Sequence, residues 1–176
     1  MTRILTILLF TTILLSCKSK NQTPQSDASV TSINWISFKE AQKLMKLHPK
    51  KVIVDIYATW CGPCKKMTKY TLSDPIIVEY LNKNFYAVKF NAESKETIEF
   101  LGKTYTNPDR THQLSMEIGA NNGQLSYPTT IYFNEDFKRL AAIPGYYDVD
   151  QFLINTRFFG DNIYKEKTFK QYQNQF

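Results

Sequence analysis

Cysteine is scarce in this chain: Cys17, Cys61 and Cys64 are the whole complement of its 176 residues. A framework of several disulfides, of the kind that staples small secreted domains, is therefore excluded. Histidine is scarcer, with only His48 and His112. They stand on opposite sides of the Cys61/Cys64 pair, 64 residues apart, whereas a Cys2His2 zinc site places its histidines about three to five residues apart after the cysteines. Adding Met67 for a softer copper site leaves the ligands as scattered, so no metal is expected. Gly-rich phosphate cradles are missing, and with them any flavin or nicotinamide fingerprint, so no cofactor is expected. The net charge of +6 is mild and is spread over Lys18, Lys20, Lys39, Lys43, Lys65, Lys66, Lys165 and Lys170. No basic stripe interleaved with aromatics appears, which argues against nucleic acid as a partner. There is no internal repeat, and no apolar run approaches the roughly 20 residues that a spanning helix needs.

What is present fits one ordinary domain. Hydrophobic residues make up 43% and charged residues 22%, close to the globular average, and 12 Phe with 11 Tyr suit a sheet-containing fold. Residues 1–16, MTRILTILLFTTILLS, differ from the rest: Arg3 gives a positive start and Ile4–Leu15 an apolar run of signal-peptide length. The run ends in Leu14-Leu15-Ser16-Cys17, which resembles the lipobox of bacterial lipoproteins and makes Cys17 the expected lipidation site. Such an anchor holds because each buried methylene contributes about 0.8 kcal/mol. A plain secreted chain with a chance cysteine is the alternative. Lys18–Ser32 is almost free of apolar residues and cannot offset the entropy of folding. With Cys17 it forms an expected tether over 17–32, with a reach on the order of 20 Å.

The remainder alternates between helical and extended patterns. Trp35–Leu47 is spaced as a helix, with Ser37 and Glu40 as a capping box, and His48-Pro49 ends it. Val52–Ala58 reads as a strand buried on both faces. A helix is expected from Cys61 through Lys69, another after Asp74-Pro75, and a second strand over Phe85–Phe90, together a βαβ unit with parallel pairing. Two helical stretches follow, near Thr97–Tyr105 and Thr111–Ile118. Thr129–Phe133 and Leu140–Ile143 flank Asn134-Glu135-Asp136 as an antiparallel hairpin. Val149–Phe158 is a last long helix, and 161–176 is expected to form a loop and a short helix.

The stretch VIVDIYATWCGPCKK resembles the active-site strand, turn and helix of the thioredoxin family. Lys89, Tyr127-Pro128-Thr129 and Pro144-Gly145-Tyr146 match at further places, so the resemblance covers roughly residues 33–158. It implies a thioredoxin-like α/β fold over 33–160, a central mixed sheet flanked by helices. A longer, helical insertion at about 92–127 precedes the loop that carries a cis Pro128.

The resemblance also gives the residues roles. Cys61 and Cys64, at i and i+3 on a helix start, are expected about 5–6 Å apart and bridgeable. The helix N-terminus stabilises a thiolate at Cys61, the nucleophile, and Cys64 resolves the mixed disulfide. Pro63 suits a first turn, and Gly62 keeps the sulfur approachable. Asp55 would relay protons to the buried cysteine with Lys89 beside it; a plain ion pair is the alternative. Trp60, Gly62, Pro63, Tyr127, Pro128 and Tyr146 would meet the substrate, although Trp60 and Tyr146 could equally be packing aromatics. The expected function is a membrane-tethered thiol–disulfide oxidoreductase on the periplasmic side of a bacterial membrane. Gly-Pro between the cysteines resembles reducing thioredoxins, which implies oxidised exported proteins as clients and an inner-membrane dithiol as electron donor. A non-catalytic peptide-binding module, or an oxidase or isomerase, stands as the alternative.

Overall fold

The computed structural model describes residues 31–176. The expected signal peptide, Cys17 and nearly all of the tether lie outside the described residues. Among those described, no helix is long and apolar enough to cross a membrane.

The architecture follows from strand β2 (Lys51–Tyr57), whose β-branched run is buried almost throughout. It pairs in parallel with β3 (Phe85–Asn91) on one side and antiparallel with β6 (Thr129–Phe133) on the other. Short β1 (Trp35–Ile36) continues the sheet beyond β3, and β7 (Arg139–Pro144) beyond β6, giving the order β1-β3-β2-β6-β7. Trp35 and Ile36 are thus strand residues, not the first turn of a helix: they pair with Ala87 and Val88. Helix α1 (Phe38–Leu47) starts after them, where the Ser37 hydroxyl accepts the Glu40 N–H. Only this half of the expected capping box forms.

Alternation along the strands divides the core into two layers. Val52, Val54 and Ile56 face α1 and the insertion, with Val88, Phe90, Ile131 and Phe133. Ile53, Ala87 and Tyr132 face the other way, beneath α2 (Gly62–Tyr70), α3 (Pro75–Asn84) and α5 (Val149–Gly160), which contribute Met67, Leu81 and Phe152. Acidic side chains cap two of these helices: Asp74 accepts the Ile76 N–H and Asp148 the Gln151 N–H. The tail adds a 3-10 turn over Ile163–Lys165 and a short helix, α6 (Phe169–Gln173), which brings Tyr172 against Phe158.

The insertion departs from the sequence reading. Ile98–Phe100 (β4) and Lys103–Tyr105 (β5) form an antiparallel hairpin, not a helix. Ile98, Leu101 and Tyr105 do stand at helical spacing, but Leu101 and Gly102 take φ of 50° and 77°, the paired positive angles of a tight hairpin turn. Phe100 plugs this hairpin into the core, its ring 5.3 Å from that of Phe38 and 5.4 Å from that of Phe137. The helical part of the insertion is α4 (Gln113–Gly119), capped by His112, whose Nδ1 accepts the Leu114 N–H. The other histidine, His48, is the C-terminal cap of α1.

Docking of the hairpin is testable by urea denaturation. Phe100→Ala should lower the unfolding free energy by about 3–5 kcal/mol. Leu101→Asn, which relieves a positive-φ leucine at the exposed tip, should be neutral or stabilising by up to about 1 kcal/mol.

Candidate active site

Strand β2 runs into the sequence Ala58-Thr59-Trp60 and then into α2, so the strand end delivers the first cysteine to the helix start. Cys61 is the N-cap of α2, where its Sγ accepts the Cys64 N–H at 3.1 Å. Cys61 and Cys64 are joined by a disulfide, with their Cα atoms 5.3 Å apart. Pro63 sits in the first turn, where a missing N–H leaves no hydrogen bond unmade. Around the backbone of Gly62 the space is open, with no atom within 4 Å of where a Cβ would stand. In the bonded state both sulfurs are well covered: Cys61 is 3% and Cys64 4% exposed, packed with Ala58, Tyr57 and Tyr127.

The rim over the disulfide is aromatic. Trp60 is 66% exposed, and its ring meets Tyr127 edge-on at 5.7 Å. Tyr127 precedes Pro128 through a cis bond, and the carbonyl of buried Pro128 accepts the Gly145 N–H. Tyr146, beyond Gly145, lies under the Lys66 ammonium at 4.4 Å. Glu93, which the sequence reading did not single out, holds this rim. Its carboxylate accepts the Trp60 indole N–H at 2.9 Å and both the hydroxyl and the N–H of Thr59. The Trp60 bond, then those from Thr59, hold the Glu93 carboxyl below the usual carboxylate range. A sequence signal for it was absent, because Glu93 and Trp60 are 33 residues apart and nothing local marks a glutamate just past a strand.

Below α2 lies Asp55, 5% exposed, in the middle of β2. Lys89 is its register partner on β3, with the ammonium 3.6 Å from Asp55 Oδ2. That is an ion pair too long for a hydrogen bond. The ammonium is held instead by the Thr68 hydroxyl of α2 at 2.8 Å. Burial pushes the Asp55 carboxyl above its ordinary range, and the Lys89 charge opposes this only in part. Thr68 follows Cys64 by four residues, so the Lys89 ammonium is bonded to α2 about one helical turn beyond the inner cysteine.

Residues 38–159 match the family model described as a thioredoxin-like domain. Curated relatives include the thiol:disulfide interchange protein DsbD of Actinobacillus pleuropneumoniae serotype 5b (strain L20), 27% identical over 142 residues, or 76% of this chain and 21% of that one. DsbD of Escherichia coli (strain K12) is 31% identical over 133 residues, 72% of this chain and 20% of that one. The chain spans about a fifth of the length of these relatives. Among solved structures, a thioredoxin-fold protein from Helicobacter pylori aligns with a TM-score of 0.57 at 19% identity, over 72% of this chain and 80% of that one. The chain belongs to the thioredoxin-like domain family. Its bonded Cys-x-x-Cys pair at the start of α2 makes it a protein-disulfide oxidoreductase of that type.

The buried carboxyl has a consequence for stability. A carboxyl whose folded pKa is raised binds more protons folded than unfolded, so stability falls as pH rises above the unfolded value of about 3.9. Asp55→Asn should therefore raise the melting temperature at pH 7.5 by a few degrees, equivalent to about 1 kcal/mol. The gain should vanish near pH 4. A large loss of stability at neutral pH would instead mark Asp55 as the indispensable half of an ion pair.

Proposed function

We propose that this chain is a membrane-tethered reductant of disulfides in exported proteins, working through the Cys61–Cys64 dithiol. The observation that carries the reading is the position of Cys61 at the N-cap of α2, its sulfur accepting the N–H of Cys64. A thiolate there gains from the same N–H and from the helix dipole. In the forward reaction the Cys61 thiolate attacks one sulfur of a client disulfide, and the other client sulfur leaves as a thiolate and takes up a proton. Asp55, with Lys89 as its partner, accepts the Cys64 proton. The Cys64 thiolate then attacks Cys61 Sγ, expelling the second client sulfur as a thiolate that takes up a proton from solvent, and leaving the Cys61–Cys64 disulfide. Trp60, Gly62, Pro63, Tyr127, Pro128 and Tyr146 form the surface on which the client's extended segment rests.

Two electrons must then return to the pair. We assign their supply to a dithiol protein of the inner membrane, in keeping with the similarity to part of the thiol:disulfide interchange protein DsbD. Cys17 would carry the lipid that keeps the domain on the periplasmic side of the membrane, next to that donor, where tethering raises the encounter rate. The direction of flow rests on the Gly-Pro between the cysteines.

Insulin reduction driven by dithiothreitol should proceed with the intact chain and be lost in Cys61→Ser. Binding of peptides that is indifferent to this change, with no turnover in the wild type, would instead mark a non-catalytic module. Cys64→Ser should accumulate mixed disulfides with client proteins, identifiable by mass spectrometry. A reduction potential more positive than about −150 mV would reverse the assignment to oxidase or isomerase. Palmitate labelling should occur in the wild type and vanish in Cys17→Ala.

A further inference from the structure

Across the sheet face that lies under α2, one cross-strand row reads Lys89, Asp55, Thr130, Ile143, on β3, β2, β6 and β7 in turn. Thr130 is 2% exposed. Its face is fixed by its neighbours: Tyr132, two residues on, belongs to the buried cluster of Ile53 and Met67, whereas Ile131 and Phe133 point to the opposite layer. The Thr130 hydroxyl makes no hydrogen bond, although a buried hydroxyl left unpaired costs about 1–3 kcal/mol. On one side of it stands the apolar Ile143, so its polar neighbour in the row is Asp55. The Asp55 carboxyl is also under-served. No hydrogen bond reaches it among the described residues, since Lys89 stays at 3.6 Å and is bonded to Thr68.

We propose that Thr130 is the positioning residue of the Asp55 proton relay, turning its hydroxyl to donate to the Asp55 carboxylate whenever that group is charged. The inference rests on the reading of Asp55 as the group that takes the Cys64 proton. Residues directly opposite on antiparallel strands have Cβ atoms about 4.5–5.5 Å apart, so rotation about the threonine side-chain bond brings hydroxyl and carboxylate together. A hydroxyl both donates and accepts, and it can serve the charged and the neutral acid in turn. A second ammonium could serve only the charged one. Donation to the anion is the stronger bond, so Thr130 favours the charged form and opposes the upward push of burial. The other titratable groups on this face are Lys89 from β3, Tyr57 two residues along β2 with its ring centre 5.4 Å from the Lys89 ammonium, Lys51 at the start of β2 paired with Glu135, and the cysteine pair of α2. From β6 the remaining polar group is Tyr132, whose hydroxyl is bonded to Thr156.

The test follows the Asp55 side-chain carboxyl by carbon-13 NMR in the reduced full chain, together with the pH profile of insulin reduction. Thr130→Val keeps the shape and removes the hydroxyl. It should raise the Asp55 midpoint by about half to one pH unit and move the pH profile in the same direction. Thr130→Ser should restore both. Should the valine variant fail to fold, Thr130→Ala compared with Thr130→Ser reads the same difference. An unchanged or lowered midpoint, with or without a loss of stability, overturns the proposal. Asp55→Asn separates the two claims. If it leaves the pH profile of the wild type intact, the relay reading fails, while a midpoint shift in Thr130→Val would still establish the hydroxyl's hold on the carboxyl.

Discussion

A carboxylate placed in the central, buried strand of the sheet is the constraint around which the rest is arranged. Asp55 interrupts the apolar run of β2, and an ion stripped of water there would cost several kcal/mol without compensation. The sheet answers with its change of direction. Because β2 is parallel to β3 and antiparallel to β6, Asp55 lies between strands that reach it from opposite directions, one bringing an ammonium and the other a hydroxyl. Neither meets it at hydrogen-bond distance in the disulfide state. Burial therefore pushes the carboxyl above its ordinary range, and the Lys89 charge opposes this only in part.

The other half of the site uses a helix start as chemistry. N-caps are ordinarily filled by Ser, Thr, Asp or Asn; α2 is capped by the sulfur of Cys61. A thiolate is a better acceptor than a bonded sulfur, so reduction strengthens the cap, and the start of the helix and the state of the site are coupled. Glu93 adds the third element. By gripping both Thr59 and Trp60 it fixes the two residues before the cysteine, and the exposed indole is held in a set orientation against Tyr127, which itself packs on the cysteine pair.

Much of this was legible in the chain because it is locally encoded. The caps at Ser37 and Asp74, the β-branched run of β2 and the turn between β6 and β7 all lie within a few residues of what they control. That turn is closed by the Asn134 side chain, which accepts the N–H groups of Asp136 and Lys138. Cys61, Cys64 and Asp55 announced themselves through a motif and a charge out of place. The hairpin at Ile98–Tyr105 did not, since Ile98, Leu101 and Tyr105 satisfy helical spacing, its strands of three residues are too short to show alternation, and only the turn at Leu101-Gly102 decides. Glu93 and Thr130 were invisible for another reason. Their significance depends on residues far along the chain, Trp60 in one case and Asp55 in the other, and a threonine in a strand is the commonest of things.

The hairpin carries one more lesson. Its backbone is held by a side chain: the Gln42 amide of α1 donates to the Glu99 carbonyl at 2.9 Å and accepts the Leu101 N–H at 2.8 Å. One glutamine thus acts as a third strand, and Phe100 closes the other side. Opening the hairpin would unmake both bonds and wet an aromatic cluster, so its amides are better protected than those of an unanchored surface loop. Through Ala92, whose N–H donates to Tyr57 and whose carbonyl accepts from His112, this rigidity reaches the segment that carries Glu93. If the proposed client rests on the indole rim, it would meet a template already set, and selection there would work by fit rather than by closure of a flap.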